Sequence, residues 1–249
     1  MPVKNFIGAG RGAASGGVVR YNGGGSLIID NCTFTGNTNA SGVGGAVSCF
    51  LENVASAGKG SVSIINSIFT NNVVSTTGGS DGALHISSQG RIVLGVTFSA
   101  SVLRNTFTGN MANGVSGRGG AIEINNGFDV GNIAQVQYNR IVNHTSNIAP
   151  DGLSIVTTTQ GQVNADNNWW VCNDGPVSGT GCDKAAVTAG GTSLVLTKWL
   201  KLKHMASPSS VSPNATTTVE VKDGFHSQIF DAAVMPNPTT DNFRLQVIT

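Results

Sequence analysis

The sequence predicts an all-β chain wound as a single-stranded, right-handed parallel β-helix, followed by a short β or irregular C-terminal extension. Three observations predict it. First, NCTFTGNTNASGVGGAVSC from Asn31, NSIFTNNVVSTTGGSDGALHI from Asn66 and NTFTGNMANGVSGRGGAIEI from Asn105 carry a Phe, an Asn and a Gly-Gly or Asp-Gly corner in the same order. Second, each corner is followed by strict apolar–polar alternation, which marks a short strand with one buried face. Third, no segment sustains a 3.6-residue apolar stripe with capping signals, so the windows do not read as helices.

Aligned on themselves, Phe34, Phe69 and Phe107 form one column with spacings of 35 and 38, and Ile141 extends it 34 residues later. Three residues after each Phe come Asn37, Asn72 and Asn110, with His144 at the fourth position, where the ladder fades. The second anchor is Gly44-Gly45-Ala46-Val47, Asp81-Gly82-Ala83-Leu84 and Gly119-Gly120-Ala121-Ile122, with weaker copies at Gly16 and Asp151. A third strand precedes each Phe, through Leu27 and Ile29, Val62 and Ile64, Ala100 and Val102, and Val136. Such a unit cannot bury its apolar stripe alone, but stacked copies bury a continuous core. Like residues then lie about 4.8 Å apart, one rung above another. The Phe column becomes an internal pile, and Asn37, Asn72 and Asn110 are expected at a corner in the left-handed or bridge conformation. Gly-Gly makes the tight turn, and Ala fits where the walls approach. About five coils are expected, joined by surface loops of variable length.

Composition narrows the function classes. In 249 residues only 11% are charged and 6% aromatic, with 34 glycines and a net charge of +1. The balance lacks the basic footprint of a nucleic-acid binder, and no apolar run is long enough for a transmembrane helix. The opening MPVKNFIGAGRG carries no apolar signal-peptide core, so the expectation is either a cytosolic protein or a fragment whose export signal lies elsewhere, and the resemblances below favour the fragment. Cys172 and Cys182 have the spacing of a short disulfide loop. Cys32 and Cys49 fall on apolar-periodic positions as small buried residues, and their pairing is left open.

The FTGN and GGA signals resemble the repeats of chlamydial polymorphic membrane proteins and related autotransporter-like β-helices, over about residues 16 to 155. That resemblance implies a surface-exposed adhesin. ADNNWWVCNDGP, from Ala165, resembles the NNWWGxNxGP segment that closes many bacterial extracellular β-helices of the pectin-lyase-like type, with Val171 where those proteins usually carry Gly. Trp169 and Trp170 are then expected to cap the last rung, the alternative being a stacking platform for sugar. AVMPNPTTDNFRLQVIT, from Ala233, resembles the start of the C-terminal sorting domain of the type IX secretion system. It implies secretion machinery as a partner and an extracellular or cell-surface location. The expected organisation is therefore residues 1–184 as the β-helix with its Trp and Cys cap, 185–232 as a linker with one isolated strand, and 233–249 as the opening of a sorting domain.

Parallel β-helices also host polysaccharide lyases and glycoside hydrolases, whose chemistry would sit on the outer columns. Ser48, His85, Glu123 and Ser154 form one outward column. There Ser48 beside His85 mimics a nucleophile arrangement, while a solvent-facing His and Glu on neighbouring strands also read as an ordinary polar pair. Ser48, His85 and Glu123 are the candidate ligand-binding residues. Asp81 and Asp151 begin equivalent corners two rungs apart, but Gly119 between them organises nothing. Arg91, Arg104, Arg118 and Arg140 fall on different columns, and the histidines lack metal-binding spacing. Neither a catalytic residue, a metal nor a cofactor is assigned. TTT at Thr157 and at Thr216 supplies no periodic Thr-x-Thr face. The expected function is a secreted or cell-surface repeat protein that adheres to glycan, host or matrix, or serves as a structural stalk. The alternative is a polysaccharide-degrading enzyme of the pectate-lyase-like class.

Overall fold

The computed structural model describes residues 9–10, 17–23, 25–40, 42–52, 60–75, 81–89, 99–125, 133–156, 161–176, 181–189, 193–201, 203–207, 217–222, 227–232, 234–235 and 244–245. The chain divides into two compact units, Met1–Trp199 and Leu200–Thr249. The first unit is an all-β parallel β-helix, with no helix among the described residues, built from stacked sheets of four to six strands.

Alternation decides which face each strand buries. In the sheet that follows the glycine corners, Val47–Glu52, Leu84–Gln89, Ile122–Asn125 and Leu153–Val156 pair in parallel, aligning Val47, Leu84, Ile122 and Leu153, and then Cys49, Ile86, Ile124 and Ile155. All eight are buried. A second sheet aligns Ile29, Ile64, Val102 and Val136, all interior. On a third, Phe34, Phe69, Phe107 and Ile141 are register partners, with ring centroids 4.9 Å apart for Phe34–Phe69 and 4.7 Å for Phe69–Phe107. The parallel bridge between Arg140 and Trp169 carries this column on to Trp170, which is fully buried.

The corners between these sheets hold two buried amide ladders. At one, the N–H of Asn37 donates to Asn72 Oδ1 and that of Asn72 to Asn110 Oδ1, while the side-chain amides of Asn72 and Asn110 donate to the carbonyls of Phe34 and Phe69. His144 continues this ladder, because its Nδ1 accepts from the Asn110 N–H and its own N–H donates to Asp183 Oδ1. Nδ1 therefore carries no proton, and burial, together with Arg140, pushes the imidazole down to about 4. The other corner stacks Ser67, Asn105, Asn139 and Asn168 in the same manner, with Asn105, Asn139 and Asn168 donating to the carbonyls of Ile64, Val102 and Val136. Each side chain thus satisfies backbone groups that a turn would otherwise leave buried without partners.

Of the left-handed or bridge conformation expected at Asn37, Asn72 and Asn110, the left-handed alternative is corrected. The positive φ falls one residue earlier, on Gly36, Asn71, Gly109 and Asn143, and in the second ladder on Asn66, Arg104, Tyr138 and Asn167. The left-handed residue turns the chain so that the next side chain points inward. At the glycine corner, the Cβ of any residue replacing Gly82 would lie 2.0 Å from the Gly120 carbonyl oxygen, so close stacking of successive corners excludes a side chain.

The tryptophan segment does not end the helix. Ala185–Ala189 joins the sheet beside Leu153–Val156, and Ser193–Val195 pairs with Gln162–Asn164. These strands fall beyond the 184 boundary read from the sequence, where a linker was expected. Trp199, whose indole N–H donates to the Asn173 carbonyl 2.8 Å away, packs against the core at this end. Cys172 and Cys182 form a disulfide, which places Asp183 beside His144. Cys49 is buried and free, and burial pushes its thiol up to about 12, where it does not react as a thiolate. Cys32 is half-buried, and its thiol donates to the Asp30 carbonyl.

In the second unit, Thr217–Lys222 is not isolated. It is the central strand of an antiparallel sheet with Lys203–Ser207 and Ser227–Ala232. Val234–Met235 pairs antiparallel with Arg244–Leu245. Residues 208–216 of the expected linker, residues 236–243 of the sorting motif, Arg91 and Thr157 lie outside the described residues.

Two substitutions test this architecture. Asn110→Ala strands the Phe69 carbonyl and the Asn72 amide in the interior, and is expected to lower unfolding free energy by about 2–4 kcal/mol in urea titrations; a change within about 0.5 kcal/mol would contradict the ladder. Val171 has a φ of 73°, a conformation in which a β-branched side chain is strained. Val171→Gly is expected to stabilise the protein by about 1 kcal/mol, read as a raised melting temperature.

Candidate functional site

The outer column Ser48, His85, Glu123 and Ser154 is in register along the sheet that follows the corners. Its side chains oppose the interior column of Val47 and Leu84 by the alternation of the strands. The structure corrects the expectation of a solvent-facing pair. Ser48 and Ser154 are 0% exposed, Glu123 1% and His85 3%. The Phe50 ring lies 5.3 Å from the His85 ring, and the Arg20 guanidinium sits over Phe50 at 5.6 Å.

Asp81, read from the sequence as an ordinary turn residue, completes the group. It occupies the corner position held by Gly44 and Gly119 on the adjacent rungs, and all three share a positive φ of 71°, 68° and 57° respectively. Aspartate is among the few residues with a side chain that accept this conformation. Its carboxylate bonds the Nδ1 of His85 four residues on. Glu123, on the next rung, presents Oε1 at 3.9 Å from the same nitrogen and hydrogen-bonds Asp81 and the Asn125 amide. Donor atoms of Asp81, His85 and Glu123 all lie within 4.8 Å of one another, and the three residues are buried. Asp151, the other aspartate considered, instead accepts from the Ser146 hydroxyl.

Two carboxyl groups and an imidazole sealed together cannot all be charged. Burial, and then the neighbouring Asp81 carboxylate, pushes Glu123 up to about 10, so Glu123 is protonated at neutral pH and can donate to Asp81. Burial pushes His85 down to about 4 against the opposing pull of Glu123, so the ring is neutral. This is a proton-sharing network. Ser48 is the register partner of His85, but its hydroxyl has no hydrogen-bond partner among the described residues, so His85 does not activate it as a nucleophile.

The open faces have a different character. Ser26, Ser61 and Ser99 share one outer column, with the Ser26 and Ser61 hydroxyls 2.8 Å apart. On the Phe-bearing strands, Thr33, Ile68 and Thr106 form one outer column and Thr35, Thr70 and Thr108 another. A periodic threonine face therefore exists over three rungs. Its signal in the sequence is the Thr-Phe-Thr or Ile-Phe-Thr triplet around each Phe and not the TTT runs at Thr157 and Thr216. Arg140 donates to Thr108 and closes the row at one end. Among the described residues, no helix is long and apolar enough to cross a membrane. Comparison with protein families, with curated proteins and with solved structures finds no match.

The shifted groups predict a pH profile. A histidine lowered from 6.5 to about 4 withdraws stability as pH falls from 6.5 toward 4, because the unfolded chain binds the proton more readily. A glutamic acid raised from 4.5 to about 10 withdraws stability as pH rises through that window, because the folded chain holds the proton. The two oppose each other between 4.5 and 6.5, leaving Glu123 to act above it. Denaturant stability in EDTA is expected to decline from pH 7 to 10 in the wild type and to stay nearly level in Glu123→Gln.

Proposed function

We propose that this chain is a non-catalytic β-helix repeat protein that binds through its outer faces, in the manner of a secreted or cell-surface adhesin or stalk. The observation that carries the reading is a division of labour between buried and open columns. The group of acid and imidazole side chains that could serve catalysis is sealed, whereas the open faces present rows of uncharged hydroxyls at a repeat of about 4.8 Å. Serine and threonine rows with interspersed Ile28 and Ile68, both exposed, suit hydrogen bonding and apolar contact with an extended polymer such as a glycan.

The location rests on sequence. The FTGN and GGA repeats and the NNWW segment resemble bacterial surface β-helices, and the PNPTTDNF tail resembles the start of a type IX sorting domain. The disulfide agrees with an oxidising compartment. On this reading the chain is exported, meets the secretion machinery through its tail, and works outside the cell or on its surface.

Glycan-array binding run beside reducing-end release on pectin and related polymers tests the proposal. Binding without release is expected, and Thr70→Arg, which places a charged side chain in the threonine face, is expected to reduce it at least tenfold. Release of unsaturated or reducing sugars would establish the enzymatic alternative instead.

A further inference from the structure

The buried Asp81, His85 and Glu123 have no role in a protein that binds through its outer faces. We propose that they form a site for a divalent transition-metal ion, with Zn2+ as the probe. The inference does not depend on what the outer faces bind.

Geometry supports it first. One imidazole nitrogen and two carboxylates, drawn from a corner, a strand and the next rung, converge within 4.8 Å. An ion bonded at about 2.0–2.2 Å keeps its donors about 3.4 Å apart. The separation of His85 Nδ1 and Glu123 Oε1 is 3.9 Å, so that pair closes by about 0.5 Å around an ion, while the Asp81 carboxylate, now bonded directly to Nδ1, moves away from it to become a separate ligand. The donor set selects the class of ion, because an imidazole suits zinc, iron or nickel, whereas calcium and magnesium prefer oxygen throughout.

The surroundings supply a second, independent observation. Ser48 and Ser154 bracket the cluster in the same outer column, both fully buried, and neither hydroxyl has a hydrogen-bond partner among the described residues. Asn125, whose amide donates to Glu123, holds its own Oδ1 buried and unpartnered in the same sense. Polar atoms sealed without partners are destabilising, and three of them surrounding convergent ligands are candidates for a fourth donor or for fixing a bound water. The corner adds a third argument. The rungs on either side use glycine where Asp81 stands, so the fold itself does not call for an aspartate there. Its carboxylate reaches His85 and Glu123 because the left-handed backbone turns it over the outer column.

The ion would replace the shared proton, leaving Asp81 and Glu123 both as carboxylates and His85 as a neutral ligand through Nδ1. Because the site is buried, loading is tested during folding. The full chain is unfolded in denaturant with EDTA, refolded with or without Zn2+, desalted, and assayed for bound metal by mass spectrometry and for melting temperature. The wild type is expected to retain one zinc per chain and to melt several degrees higher than the metal-free form. Asp81→Gly installs the residue that neighbouring rungs carry, so it is expected to fold, to retain no zinc and to melt at the same temperature with or without it. Glu123→Gln provides the same reading if the first variant is not folded by circular dichroism. A wild type that retains no more zinc than Asp81→Gly or Glu123→Gln overturns the proposal, as does equal loading and equal thermal shift in the wild type and the folded variants.

Discussion

The structure depends on one constraint, that each turn of the chain must lie in register on the turn before it. A single turn offers a few apolar side chains and several sharp corners, and neither is stable alone. Stacking converts the side chains into columns and the corners into ladders. Corners would otherwise be the weak points, because their carbonyls and amides are buried without strand partners. Asn72, Asn110, Asn105, Asn139 and Asn168 meet this need, since one carboxamide can accept from the amide of the turn below and donate to a carbonyl of the same or an adjacent turn. The Phe pile and the asparagine ladders are therefore two aspects of a single registration. A slip by one residue would break both, because it would turn every interior side chain outward.

The same constraint explains how the chain tolerates variation. His144 replaces asparagine in the ladder because a neutral imidazole also accepts at one nitrogen, and Asp183 supplies the next acceptor after the disulfide loop. Trp170 extends the aromatic column where the winding changes, and strands beyond it continue two of the sheets. The Asp81 corner differs in kind. It departs from glycine without a structural need, and its departure brings a second carboxyl group beside His85 and Glu123.

Much of the winding was legible in the sequence, for identifiable reasons. Phe34, Phe69 and Phe107 recur with the glycine corners at a steady interval, and a parallel stack turns sequence interval directly into spatial alignment. The second asparagine ladder was harder to see, because its members Ser67, Asn105, Asn139 and Asn168 follow left-handed residues of mixed type, among them Arg104 and Tyr138. The burial of His85 and Glu123 could not be read from alternation, which separates the two faces of a strand but does not say whether the outer one is covered. Asp81 was hidden by its resemblance to a turn residue; the signal lay in the comparison with Gly44 and Gly119, where the corner is made without a carboxylate. The strands past residue 184 were missed because the tryptophan motif was read as an end.

Aromatic-to-aromatic nuclear Overhauser contacts in a sample with selectively labelled phenylalanine test the stacking most directly. The account predicts contacts between the Phe34 and Phe69 rings and between the Phe69 and Phe107 rings, whose centroids are 4.9 and 4.7 Å apart, and none between Phe34 and Phe107, two turns away. Absence of both neighbouring contacts, or a direct contact between Phe34 and Phe107, would contradict it.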